Sequence, residues 1–277
     1  MTQLPEVEVI RKNLEKDIVG KRFKEVTVKT ASVVGRHRNR PEFVRALEGR
    51  KIEAISRRGT DLLLELDEGK VLVVRLGEHA SLTRETATAD ATRHTQVVAT
   101  FTTGGALHYA DSGKDGQLWV TEVDDVANSP DLQVAGIDPL ADVFTWHEID
   151  HQLKARRTKL KPLLVDPSFM IGLGDVYSDE VLWAAGLSGE RSSHTLSSQE
   201  VRRLYRAVFE VLQEAVKQGT SDTAAGEAPD PLDEDDYSEH LKVYGKEGDP
   251  CARCRQPIRR GKTDRKLVSY FCGQCQT

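Results

Sequence analysis

The sequence predicts a multidomain α+β protein: an N-terminal β-sandwich led by one helix, a helical middle segment, and a C-terminal β-hairpin held by zinc. Three observations predict it. Short β-rich runs punctuated by turn residues fill the chain up to about residue 130. Helical periodicity takes over from Thr145. All four cysteines fall in two C-x-x-C pairs near the end, Cys251-Ala-Arg-Cys254 and Cys272-Gly-Gln-Cys275, separated by 17 residues.

The leading helix covers Leu4–Val19 and starts near Pro5, with Val7, Ile10, Leu14 and Ile18 spaced by three and four. After Gly20, strands are expected at Lys24–Lys29, Lys51–Ser56, Leu62–Leu66, Val71–Leu76, Gln96–Thr102, Ala106–Tyr109 and Gln117–Val120. Turn signals such as Asp67-Glu68-Gly69 and Thr103-Gly104-Gly105 separate several of them, and many short strands after one helix suggest two packed sheets. Gly136-Ile-Asp-Pro-Leu140 reads as a loop. Helices are then expected at Thr145–Lys154, Pro162–Val165, Gly174–Ala185 and Ser197–Gln218, the last opening with the capping-box pattern Ser197-Ser-Gln-Glu200. Residues 220–239 hold eight Asp or Glu and no Lys or Arg, which predicts a mobile acidic loop. These breaks divide the chain into domains 1–130, 131–240 and 241–277.

Two C-x-x-C knuckles at this spacing suit one tetrahedral zinc ion, since each turn aims two thiolates at a shared point and the segment between can run out and back as a hairpin. The alternatives are two reducible disulfides or four buried free thiols. The opening MTQLPEVEV lacks the basic and apolar regions of a secretory signal, and no apolar run approaches a membrane span, so a cytoplasmic protein with reduced cysteines and no membrane partner is expected.

Net charge is −5, so any case for nucleic acid must come from local clusters. Lys154, Arg156, Arg157, Lys159 and Lys161 form one; Lys246 to Lys266 holds eight Lys or Arg against three acids; Arg57 and Arg58 lie in the β-rich half. A solvated face is the usual meaning of one such cluster, whereas two flanking helical and zinc segments favour phosphate binding. In Met170-Ile-Gly-Leu-Gly-Asp-Val-Tyr-Ser-Asp-Glu180, glycines at 172 and 174 just before a helix let backbone N–H groups approach an anion, although Asp175 would repel one. The small Thr2 marks Met1 for removal, which would expose the Thr2 α-amine, nucleophilic near neutral pH.

Together these stretches resemble the formamidopyrimidine-DNA glycosylase / endonuclease VIII family of base-excision-repair enzymes over essentially the whole chain. The resemblance is carried by Leu4-Pro-Glu-Val-Glu8, Arg57-Arg-Gly59 with Leu62-Leu-Leu-Glu-Leu66, Gly136-x-Asp-Pro-Leu140, Lys161-Pro-Leu-Leu, Gly172-x-Gly-x-x-Tyr177-x-x-Glu180, and Val243-Tyr-Gly-Lys-x-Gly-x-Pro-Cys251. It implies a β-sandwich joined to a helix–two-turn–helix domain with a zinc hairpin, a monomer that binds damaged or abasic duplex DNA and flips out the base, and a location at the nucleoid. It implies DNA contacts from Arg58, His94, Arg156, Arg157, Lys161, Gly174 and Asp175, and catalysis at the positions of Thr2 and Gln3.

The chain departs from the family pattern at several of those positions. The usual Pro-Glu start is Thr2-Gln3: a primary amine still forms an imine, but Gln3 exchanges no proton near neutral pH, leaving Glu6 as the substitute carboxylate. A family lysine is Thr60, the gap-filling methionine is Glu78, the intercalating Arg-x-Phe is Gly113 and Asp115, the phosphate-holding asparagine is Asp175, and the zinc-hairpin arginine aligns with Leu267. The lesion-reading loop corresponds to the acidic 220–239 stretch. Two expectations follow: a glycosylase/AP lyase using the Thr2 amine, or a catalytically degenerate relative that binds DNA or a protein.

Overall fold

The computed structural model describes residues 3–86, 90–141, 143–225, 240–263 and 266–277, with the backbone alone at 221–225. Residues 1–133 with 219–233 form one compact unit, and 134–218 with 234–277 form another. Among the described residues no helix is long and apolar enough to cross a membrane.

The first unit opens with α1 (Leu4–Ile18), which has a proline in its first turn and buries Leu4, Val7, Leu14 and Ile18. Gly20, at φ 85°, reverses the chain and donates its N–H to Ile52 O. Eight strands follow in two antiparallel four-stranded sheets. One sheet is ordered β1 (Phe23–Val28), β6 (Thr95–Phe101), β7 (Ala106–Asp111), β5 (Ala80–Glu85); the other is β2 (Ile52–Arg58), β3 (Asp61–Leu66), β4 (Lys70–Arg75), β8 (Gln117–Glu122). Alternation explains the unusually apolar β3 and β4. Leu62, Leu64, Leu66, Leu72 and Val74 face the core between the sheets, while Leu63, Val71 and Val73 face outward into a second cluster with Trp119, Val126 and Leu132.

Three elements go beyond the sequence expectation. β5 has only Ala80 and Leu82 buried, so no apolar run marks it. α2 (Arg40–Leu47) forms because Asn39 accepts from Glu42 N at 2.9 Å and Phe43 and Leu47, one turn apart, enter the core. α3 (Val123–Asn128) buries only Val126.

In the second unit α4 (Trp146–Ala155) starts in a capping box between Thr145 and Glu148. It is followed by α5 (Leu160–Leu164), α6 (Gly174–Ala185), α7 (Ser198–Ala225), and the antiparallel hairpin of β9 (Arg259–Lys262) and β10 (Val268–Phe271). The expected capping box is present at α7: Ser197 N donates to Glu200 at 2.7 Å and Glu200 N donates back to Ser197 Oγ. The Arg191 guanidinium and Ser197 hold the Glu200 carboxyl at about 2. α7 continues through Gly219 into the stretch expected to be a loop, because one glycine costs a long helix only about 1 kcal/mol. The rest of the acidic stretch, 226–239, lies outside the described residues. The Gly136-Ile-Asp-Pro-Leu140 loop is tied down by a parallel bridge from Ile137 to Met170, while Asp138 accepts from Leu140 N and Ala141 N. A Cβ at Gly136 would stand 2.2 Å from Pro167 O.

The start of α1 is anchored to β2 by charge. Glu8 bonds Arg11 at 2.9 Å and Arg57 at 3.1 Å, and the Arg57 side chain, 4% exposed, also donates to Gly59 O. Burial pushes the Glu8 carboxyl up, but bonds from Arg11 and Arg57 outweigh it and hold it below its ordinary 4.5. Its contribution is therefore complete above the unfolded value and fades as pH falls through the native one. Glu8→Gln is expected to cost about 2 kcal/mol at neutral pH, below the 3–5 kcal/mol of a fully broken buried pair because glutamine still accepts one bond. Urea unfolding at a series of pH values should show the gap between wild type and variant closing below the ordinary value.

Candidate functional site

The four cysteine sulfurs lie within 4.8 Å of one another, with Cys251 and Cys272 buried and Cys254 and Cys275 half-buried. Sγ–Sγ separations are 4.0 Å for Cys251–Cys275 and 3.4 Å for Cys254–Cys272. Four thiolates about 2.3 Å from one tetrahedral ion stand about 3.8 Å apart, so the donor set and its spacing fit a zinc ion with no position left open. The local chain makes this cluster: Arg255 takes a positive φ of 66° after the first knuckle and Cys251 N donates to Gln256 O.

α6 carries the hairpin. Three successive backbone N–H groups, from Lys242, Val243 and Tyr244, donate to Glu180 at 2.8–2.9 Å. Asp179, 1% exposed, accepts from Ser269 Oγ at 2.7 Å and Tyr270 N at 2.8 Å. Sequence reasoning gave neither acid a role, although Glu180 stands in a quoted motif; the signal would have been two adjacent carboxylates flanked by the apolar residues Tyr177, Val181 and Leu182. Lys161 faces Asp179 at 2.8 Å and donates to Asp175 O at 2.7 Å. It is 0% exposed, so its expected part as a DNA contact gives way to an interior one: the ammonium is enclosed by helix backbone and a carboxylate. Burial pushes Lys161 down and Asp179 up, and each pulls the other back.

The N-terminus of α6 has the shape of an anion site. Gly172 and Gly174 have positive φ, 66° and 52°, and Leu173 at the N-cap provides no side-chain acceptor for the first-turn N–H groups. Asp175 is half-buried in that turn. Arg156 donates to Ser168 O at 2.8 Å and lies 5.5 Å from the Phe169 ring, on the segment leading into Met170. Arg157 is exposed beside it. Thus Gly172, Gly174 and Asp175 are carried on α6 and the chain leading into it, Arg156 at the end of α4 bonds to that chain, and the buried Lys161 bonds to Asp175 O.

In the first unit Thr2 lies outside the described residues. Gln3 is the N-cap of α1, and Glu6 is half-buried in the first turn. Arg58 donates to Val126 O at 2.8 Å and is partly buried, which ties β2 to α3. His94 is half-buried, and its Nε2 accepts from Arg93 at 2.8 Å. The loop after β7 is built around Asp111, 1% exposed, which accepts N–H groups of Gly113, Lys114 and Gly116 at 2.9–3.0 Å and the Tyr109 hydroxyl at 3.2 Å. Burial and Asp111 push that hydroxyl's pKa upward. Gly113, Lys114 and Asp115 at its tip are exposed, and Glu78 N donates to Asp115 at 3.3 Å, so both acidic departures share one surface. At the four-cysteine hairpin Leu267 is half-buried and closes a turn with Thr263, beside residues 264–265 that lie outside the described residues.

A β-sandwich and a helical unit bearing a four-thiol hairpin define the architecture. Residues 1–118 match the formamidopyrimidine-DNA glycosylase N-terminal domain, and residues 135–225 match the formamidopyrimidine-DNA glycosylase H2TH domain. The formamidopyrimidine-DNA glycosylases of Pelotomaculum thermopropionicum and Heliobacterium modesticaldum are 35% and 36% identical to this chain, covering 100% of it and 99% and 100% of their own lengths. A complex between Lactococcus lactis Fpg and abasic-site DNA superposes with a TM-score of 0.87 at 30% identity over 99% of each chain. MutM in complex with carbocyclic 8-oxo-G DNA gives 0.86 at 29%, again over 99% of each. The chain belongs to the formamidopyrimidine-DNA glycosylase family.

Removing one member of the interior ion pair leaves the other charged and dry. Lys161→Met should cost about 3 kcal/mol, the lower end for a broken buried pair because Ser269 and Tyr270 still serve Asp179. The loss should be visible in chemical denaturation of the whole chain and largely relieved in the Lys161→Met, Asp179→Asn double variant.

Proposed function

We propose that this chain acts on damaged or abasic duplex DNA as a DNA N-glycosylase/AP lyase of weakened activity, working as a monomer. In this reading residues 1–130 are the catalytic-type domain, 131–240 the DNA-binding helix–two-turn–helix domain, and 241–277 a zinc hairpin holding one structural ion. The observation that carries it is the match to formamidopyrimidine-DNA glycosylases over 100% of the chain at 35% and 36% identity. Structural neighbours bound to abasic and 8-oxo-G DNA support duplex DNA as the partner.

Once Met1 is removed, the neutral Thr2 amine adds at C1′ as the glycosidic bond breaks, and the departing base takes up a proton. The sugar ring then opens to an imine. Gln3 supplies no proton, and Glu6, one turn into α1, is the carboxylate left to do so. Phosphates are held by Arg156, Arg157 and the N–H groups at Gly174 and Asp175, with Arg58 and His94 on the sandwich. When bound, zinc fixes the hairpin and takes no part in the chemistry.

Gln3 also favours a second reading, a protein that binds such DNA without excising the base. Borohydride trapping separates the two, using untagged protein whose Thr2 start is checked by mass. A covalent adduct on an abasic duplex supports the lyase. Gln3→Glu should then raise its rate at least tenfold, within the roughly 10²–10⁴-fold worth of a positioned acid–base group. No adduct from either protein, alongside salt-sensitive gel shifts, leaves binding alone. Metal analysis should return one zinc per chain, and chelation should abolish amide protection in Arg259–Lys262 and Val268–Phe271.

A further inference from the structure

The zinc-type cluster receives a hydrogen bond from outside its own hairpin. Trp183, in the last turn of α6, points its indole Nε1–H at Cys251 Sγ, 3.4 Å away. The indole is held on its other side by the knuckle it serves. Arg253, between Cys251 and Cys254, lies 4.0 Å over the Trp183 ring and donates to Trp183 O at 2.6 Å and Ala184 O at 3.0 Å. Knuckle and helix brace each other. Trp183 follows Asp179 by four positions and Glu180 by three, so all three share one face of α6. The two acids grip backbone and a hydroxyl, whereas Trp183 addresses a metal-ligand atom.

We infer that Trp183 is a positioning residue for the metal: its N–H···S bond orients Cys251, withdraws charge from that sulfur, and sets how slowly the ion is released and how slowly Cys251 is alkylated. Four thiolates around a divalent ion carry a net charge of about −2, so a donor aimed at one sulfur is worth more than a neutral contact. Cys251 is already buried, while Cys254 and Cys275 are half-buried. The indole thus completes the protection of the Cys251 sulfur. A phenylalanine would keep an aromatic ring against Val243, Ile258 and Cys272 but offer no N–H to Cys251.

This rests on the metal reading above, and the test separates the two. The full chain is loaded with an NMR-active cadmium isotope, and a correlation through the hydrogen bond is sought between the Trp183 indole proton and the cadmium nucleus. Trp119 and Trp146 serve as internal controls. In the zinc form, Trp183→Phe should release metal to a chromogenic chelator roughly tenfold faster, the lower end of the 10–100-fold range for groups that orient a ligand. Iodoacetamide should also reach Cys251 earlier in that variant. A chain that binds one ion but shows no Trp183 correlation, or a folded Trp183→Phe variant with unchanged release, overturns the role of Trp183 alone. A chain that takes up neither zinc nor cadmium overturns the metal reading and this inference together.

Discussion

One helical turn of α6 ties β10 and residues 242–244 to the helical unit. Asp179 and Glu180 are adjacent, buried and charged, and between them they receive two donors from β10, one from Lys161 and three from residues 242–244. A carboxylate out of water is tolerable only with such a set of donors. The hairpin's apolar cluster adds little to this, since Val243 and Ile258 are its buried aliphatic members beside Cys251 and Cys272. A segment so poor in core cannot hold itself by hydrophobic burial, and the thiol cluster with the α6 carboxylates makes up the difference.

The sandwich solves a related problem with one carboxylate. Glu8 sits between Arg11 and Arg57, so the first two turns of α1 are fastened to the end of β2 just before the Gly59 turn. That fastening orients the chain start, where Gln3 and Glu6 lie. Bracing in the two units falls to a few buried polar groups: Glu8 with Arg57, Asp111, Asp179, Glu180 and the four cysteines. Glu78, Gly113 and Asp115, the positions expected to differ from the family pattern, lie instead at the exposed surface.

That division also explains what could be seen in advance. Periodicity located α1, α6 and α7, and the C-x-x-C spacing located the hairpin, because those signals are local in the chain. β3 and β4 stood out because both faces of each strand are covered. β5, α2 and α3 are short and bury one or two residues each, so their formation depends on neighbours that composition does not reveal. Lys161 belonged by sequence to an exposed basic cluster, yet it is fully enclosed; only the fold distinguishes it from Arg157 four residues earlier. The Thr2 amine could be inferred from the removable Met1, whereas its role at a nucleotide and any role for Gln3 came from likeness alone.

The loop around Asp111 has a consequence for how such a protein can diverge. Asp111 gathers three backbone N–H groups and a hydroxyl, and the closest constraint on the loop is the absent Cβ at Gly116, which would stand 1.8 Å from the Tyr109 hydroxyl. The loop's path is anchored from this buried carboxylate, while the side chains of its tip face outward. Lineages can therefore drift at the tip without passing through unfolded intermediates, and a repair scaffold can lose one recognition chemistry and acquire another while remaining a stable target for selection.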